Sequence, residues 1–254
     1  MITKIFTAAT IGLQTKLIEV ETDLSPSLPA VIMVGLPDKA VQESKERIRS
    51  AIKESGFEFP IGKLTINLAP ADISKVGTGF DLPIAVGILQ LMGYIITPPN
   101  NLKVPTKPQS TNELEHLDTQ VFGGQDSKDS TIQSVDSTRF AKTLFLGELS
   151  LDGKLRGIPG VLSVCIWARQ QGYEQIFVPV SNIIEARLIN NLQIFGVESL
   201  SQLVSHLNGN TLIQPTPTVD WNNLTTNSDD LDESKKNQLT EAFTSGKIID
   251  ILDL

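Results

Sequence analysis

The residues best suited to chemistry lie in "INLAPADISKVGTGFDLPIAVGILQLMGYII", residues 66–96, where Gly77-Thr78-Gly79 separates a short apolar strand from a long apolar helix. Glycines at such a junction serve one of three ends. They cradle phosphate on the N–H groups of a helix start, they shape the loop of a nucleophile, or they bend the chain through positive φ and let the helix pack close to the strand. A dinucleotide fingerprint requires a third glycine where this chain has Leu82. The nearest approach to a Walker A loop, "GFEFPIGKL" from Gly56 to Leu64, has one residue too many and Leu64 in place of the magnesium-holding hydroxyl. "SGKII", from Ser245 to Ile249, lacks a preceding glycine loop. No nucleoside triphosphate site is recognisable, and the residues by themselves favour the bend, with surface recognition as the remaining use.

Metal chemistry finds little support. The single cysteine, Cys165, excludes an internal disulfide and a CxxC site, and His116 and His206 stand ninety residues apart. Asp229, Asp230, Asp232 and Glu233 form an acidic run without the glycine and ligand periodicity of a calcium loop. Phosphate contact has better candidates. A helix after Pro37 carries Lys39, Lys45, Arg47, Arg49 and Lys53, and Lys63 and Lys75 follow it. Lys45, Arg49 and Lys53 fall at i, i+4 and i+8 and would form a basic ridge, which Glu43, Glu46 and Glu54 offset and which has no Trp or Tyr on which bases could stack.

These residues need elements to position them. Ile2–Ala9, Lys16–Asp23 and Ala30–Val34 read as three antiparallel strands that open the fold, with Gly12 and Pro26 in the turns. Pro37 starts an amphipathic helix of about five turns that Gly56 ends. A strand at Leu64–Leu68, the glycine turn and a buried helix over 82–96 complete the first half. "TLFLGELSLDGKLRGIPGVLSVCIWARQQGY" then gives a strand over 143–150, a hairpin at Asp152-Gly153 and a helix from Pro159 to Gly172. Strands at Ile176–Val178 and Gln193–Val197 alternate with helices near Ser181–Ile189 and Ser199–Leu207. The polar stretch 98–139 has the composition of a disordered insertion, and 210–254 reads as an acidic linker with a weak helix at Glu233–Phe243.

With 254 residues, 40% of them hydrophobic, the chain can build one large core or two small ones. The net charge of -8 sits mainly in the tail, where residues 210–254 hold 3 basic and 8 acidic side chains against 9 and 10 in residues 1–100. The core segments are near neutrality, so total charge neither favours nor forbids a polyanion partner. The N-terminus lacks the pattern of a secretory signal, and no run reaches the length of a membrane span, so a cytoplasmic location without membrane contact is expected.

Three segments in order, "GLPDKAVQESKERIRSAIKESGFEFP", "TINLAPADISKVGTGFDLPIAVGIL" and "GELSLDGKLRGIPGVL", closely resemble the N-terminal domain of the magnesium-chelatase-like AAA+ ATPases of the ComM/YifB type. The resemblance covers roughly residues 1–100 and 140–209. It implies the α+β fold of the Lon proteolytic domain (ribosomal S5 domain 2-like), a mixed sheet flanked by helices, over residues 1–209. In that fold the glycine turn stands where Lon peptidases carry a serine activated by a lysine. Alignment puts Gly79 at the serine position and Leu162 at the lysine position, so no catalytic residue is expected. A one-residue slip offers Thr78, but the helix from Pro159 to Gln171 has only Arg169, which stays protonated and cannot act as a base.

The resemblance implies a non-catalytic domain for assembly or substrate recognition. The full-length relatives are hexameric DNA-processing ATPases, with ComM members acting in branch migration during natural transformation. ATP and Mg2+ would belong to a AAA+ module in cis or in trans, because this chain ends after the acidic linker without one, as a truncated or split product would. No cofactor is expected in this chain. Lys45, Arg49, Lys53, Lys63 and Lys75 are the candidate DNA contacts. The competing readings are a divergent peptidase using Thr78 and a stand-alone interaction module that lost its motor.

Overall fold

The computed structural model describes residues 2–12, 14–96 and 139–219. The insertion expected at 98–139, apart from Arg139, and the weak helix at 233–243 lie outside the described residues, as does the acidic part of the tail.

Strands β1 (Ile2–Ile11) and β2 (Gln14–Ser25) form a hairpin in which Ile5 faces Val20. Their alternation is legible, with Thr3, Ile5 and Thr7 and then Ile18, Val20 and Thr22 on the buried face. The third strand departs from the expected antiparallel trio. β3 (Ala30–Val34) does not pair with β2, because β4 (Lys63–Ala69) inserts between them and gives the order β1-β2-β4-β3. β4 runs antiparallel to β2 and parallel to β3. The cause is the connection: β3 leads into helix α1 (Lys39–Glu54), and a strand–helix–strand crossover returns the chain in the direction it left. β4 takes the central place because Leu64, Ile66 and Leu68 bury completely or almost so.

Helix α2 (Asp81–Leu91) lies on this sheet with every residue from Asp81 to Gln90 buried. Pro83 sits in its first turn, where a missing N–H costs nothing. Gly87 allows the close approach, since a Cβ there would lie 3.1 Å from Thr22 Cγ2, and the Thr3 hydroxyl donates to the Gly87 carbonyl at 3.1 Å. The helix is shorter than the apolar run 82–96. Tyr94 N donates to Leu89 O and Gly93 takes φ +77°, so a left-handed cap ends it despite the apolar residues that follow.

The second half holds β5 (Thr143–Phe145), the small hairpin β6 (Glu148–Leu149) and β7 (Leu155–Arg156), helix α3 (Val161–Gln170), β8 (Gln175–Pro179), the short α4 (Ile183–Ala186), β9 (Gln193–Val197) and α5 (Leu200–Leu207). The expected strand over 143–150 is broken at Gly147, whose φ of +155° turns β5 into the hairpin that Asp152-Gly153 closes. β5, β8 and β9 form a parallel sheet that is buried on both faces. On one face Phe145, Phe177 and Phe195 occupy one register position and stack at 5.1 and 4.8 Å, joining the core under the first sheet. On the other, Leu144, Ile176 and Ile194 meet α3 and the outer face of the β1–β2 hairpin at Phe6, Ala8 and Leu17. The molecule is therefore a mixed α/β protein with sheets flanked by helices. Among the described residues no helix is long and apolar enough to cross a membrane.

The turn between β3 and α1 has no slack. Gly35 adopts φ +97°, and a Cβ there would lie 2.1 Å from the Leu68 carbonyl oxygen. Gly56 adopts φ +87° with nothing within 4 Å of such a Cβ. Urea denaturation is expected to show Gly56→Ala losing about 1 kcal/mol of backbone strain alone and Gly35→Ala losing at least about 3 kcal/mol, because β4 must move. Equal losses would place the strain elsewhere.

Candidate functional site

The turn that carries the chemistry question is tied down along its length. Lys75 N donates to Leu36 O (3.1 Å) and Asp38 N to Lys75 O (2.9 Å), which lays the segment against the start of α1. One Asp38 oxygen caps that helix by accepting from Val41 N at 2.8 Å, and the other accepts from Gly77 N at 3.2 Å. Gly77 needs its φ of +95° to make this contact. Gly79 needs its missing side chain for a different reason, since a Cβ would stand 3.0 Å from Ile158 Cδ1.

At the end of the turn lies Asp81, which the sequence reading passed over. Its carboxylate is fully buried and accepts from Arg47 Nε at 2.9 Å, Arg47 Nη2 at 3.1 Å and Leu149 N at 3.1 Å. Leu82 N donates to Gly147 O and Gly147 N to Gly79 O, so the start of α2 and the β5–β6 bend are joined by hydrogen bonds in both directions. Burial pushes the Asp81 carboxyl up to about 6, although the Arg47 guanidinium and Leu149 N–H pull the other way. The sequence places Arg47 with the basic side chains of α1. It lies between the buried Ser44, Ile48 and Ala51 on that helix, which is the signal that could have turned it inward.

The helix start facing the turn, that of α3, is closed by the protein itself. Leu162 N donates to Glu185 Oε2 (3.3 Å), and Asn182 exchanges hydrogen bonds with the Ile158 backbone at 3.0 and 2.8 Å while donating to Glu185 Oε1. The start of α3 thus holds a carboxylate of this chain, whereas the Asp81 carboxylate in the first turn of α2 bonds Arg47 and Leu149 N rather than that helix's own N–H groups.

The expected nucleophile and base positions carry no matching chemistry. Gly79 has no side chain, and Leu162 packs against the second core. Thr78 is partly exposed, and its hydroxyl has no hydrogen-bond partner among the described residues. The lysine nearest in sequence, Lys75, is fully buried, and its amine donates to the Pro70 carbonyl. That overturns its place among the DNA contacts. Burial lowers its pKa, with Asp72 opposing the shift. Cys165 is no alternative nucleophile, because burial pushes its thiol up to about 12. Among the described residues no group of His, Cys, Asp and Glu is placed to hold a metal ion.

Of the candidate DNA contacts, Lys53 and Lys63 are exposed and Lys45 is half-buried, and none of the three makes an ion pair among the described residues. Arg49 is engaged, stacking over the Phe59 ring at 5.0 Å and lying 3.7 Å from Glu46.

Asp81 makes stability depend on pH in a stated direction. A carboxyl raised from 3.8 to about 6 contributes stability that is full below its unfolded value and is lost as pH rises through the folded one. The difference in unfolding free energy between wild type and Asp81→Asn should fall by about 2 kcal/mol from pH 4 to pH 7. A flat difference would mean that Asp81 is not desolvated. Asp81→Ala is expected to cost about 3 kcal/mol at pH 7, because Arg47 and Leu149 N–H lose their acceptor.

Comparison with known proteins gives this geometry its relatives. Residues 20–103 and 130–182 match the family described as subunit ChlI of Mg-chelatase. The chain is 33% identical over 215 residues to YifB of Escherichia coli, covering 84% of this chain and 34% of that protein. It is 30% identical over 205 residues to competence protein ComM of Haemophilus influenzae, covering 81% and 32%. An uncharacterized protein of Mycobacterium tuberculosis is 33% identical over 206 residues, covering 81% and 33%. The chain thus spans about a third of the length of these curated relatives. It belongs to the ComM/YifB-type magnesium-chelatase-like family.

Proposed function

We propose that this chain is a non-catalytic, Lon-like N-terminal domain of a ComM/YifB-type magnesium-chelatase-like ATPase, serving assembly or substrate recognition in DNA processing. One observation carries the reading. The glycine turn, aligned with the Lon nucleophile loop, is a closed structural joint in which Gly79 packs on Ile158, Asp81 is sealed by Arg47, and the helix start opposite is filled by Glu185. A peptidase needs an open position beside a nucleophile and its base. Here the loop's hydroxyl, Thr78, lacks a base in hydrogen-bond contact, and the loop's lysine is spent on a backbone carbonyl. ATP, Mg2+ and ring assembly are assigned to a AAA+ module in cis or in trans; the name of competence protein ComM supports a role in competence, and DNA is the substrate class that the resemblance to the ComM/YifB ATPases implies.

Two assays test the reading. Cleavage of a fluorogenic casein is expected to stay at background for the wild-type chain and for Thr78→Ala; cleavage that Thr78→Ala abolishes would establish the peptidase instead. Fluorescence anisotropy with labelled DNA tests the ridge. Replacing Lys45, Arg49 and Lys53 by Gln should weaken binding at about 50 mM salt and flatten the log–log salt dependence by about 3. No binding at low salt, or binding indifferent to the triple replacement, removes DNA from this surface and leaves the assembly role.

A further inference from the structure

After α5 the chain turns back on itself. Asn210 N donates to Ser205 O (2.9 Å) and closes that helix, and residues 212–219 then return as a strap along β9. Pro215 and Pro217 have no N–H to give, so the strap cannot add a regular strand to the sheet. It is fixed at every third residue instead. Ile213 N donates to His206 Nδ1 (2.9 Å), Thr216 N to Ile194 O (2.7 Å) and Val219 N to Arg187 O (3.0 Å). The same three residues are partly buried while those between them are exposed, which is the period of a polyproline helix.

Two of the three acceptors are backbone carbonyls, which do not titrate. The third is an imidazole, half-buried at the C-terminal end of α5, whose ring lies 5.4 and 5.2 Å from the Phe177 and Phe195 ring centroids. An Nδ1 that accepts is unprotonated, so the ring is neutral and carries its proton on Nε2. In an imidazolium both nitrogens donate, and no turn of the ring restores an acceptor.

We propose that His206 is a proton-operated latch for the strap: the neutral ring holds residues 212–219 against β9, and the imidazolium, having no lone pair for Ile213 N–H, lets them go. Burial lowers the His206 pKa from its ordinary 6.5, and the Arg139 guanidinium acts in the same direction, together outweighing the preference of a helix C-terminus for a cation. Arg139 is itself anchored over the Phe140 ring and donates to the Ile96 and Leu207 carbonyls. α5, β8, β9 and the strap contribute no other ionisable side chain. A histidine lowered in the closed state contributes closure that is present above 6.5 and lost as pH falls. Release frees eight residues, at most about 29 Å of extended chain, ahead of residue 220. The latch stands independently of the Lon-like reading, since it uses only α5, the sheet and the strap.

Amide hydrogen exchange of the full chain, expressed as protection factors to remove the intrinsic pH dependence of exchange, tests the latch. Protection of Ile213 and Thr216 is expected to fall several-fold from about pH 7.5 to about pH 5, with a ceiling of about 30-fold for a released ring of ordinary pKa. The amides of β4 should keep theirs. His206→Asn offers a carboxamide oxygen in place of Nδ1 and does not titrate, so its strap protection should be the same at both pH values. An NMR titration of the wild-type imidazole needs no variant, and it should show the ring protonating below 6.5 from a neutral form with Nδ1 bare. Wild-type protection that does not change with pH overturns the proposal, as does a fall shared by β4 or repeated in His206→Asn. So does an imidazole that titrates at or above 6.5.

Discussion

A carboxylate taken fully out of water must find its hydrogen bonds inside the protein, and Asp81 finds them on two separate elements. Arg47 comes from α1, and the Leu149 N–H comes from the hairpin after β5. All three contacts are made only when α2, α1 and the second half meet in one arrangement. An apolar face tolerates sliding by a fraction of a residue, whereas a buried charge with fixed donors does not. The pair adds little net stability, because burial outweighs Arg47 in setting the carboxyl's pKa. Its effect is to choose among the compact arrangements that the same apolar residues would accept.

The glycine turn takes its shape from that constraint. With Asp81 fixed, Gly79 must pass beside Ile158, Leu82 N must meet Gly147 O, and Gly77 must bend back to Asp38. Each of these engages a backbone group or fills a space at the turn. Among the described residues, Lys53 and Lys63 lie exposed on α1 and β4, and β3 has a strand neighbour on one side only.

Much of this was legible in the chain, and the failures have physical causes. Asp152-Gly153 marked its hairpin and Ala30–Val34 its strand, because turn chemistry and local patterning act over a few residues. The antiparallel trio failed because pairing is decided by which strands meet, and β4 arrives through a crossover after β3 is already laid down. Helix 82–96 was read too long because apolar composition does not record where a glycine cap cuts it. Arg47 and Lys75 were grouped with surface charges because the formal charge of a side chain is the same whether it faces water or a buried acceptor. Only Arg47's place between Ser44, Ile48 and Ala51 carried a hint.

By itself the sequence determined the apolar alternation of β1, β2 and β4, the helix starts and the glycines that must bend. Those are properties of single residues and their near neighbours. The tertiary structure decided the order of the strands, the pairing of Asp81 with Arg47, the burial of Lys75 and the closing of α3 by Glu185. Each of these depends on residues far apart in the chain, 34 positions apart for Arg47 and Asp81 and 23 for Leu162 and Glu185. Packing, which reduces the neighbours available to a buried charge to a handful, is what selects them.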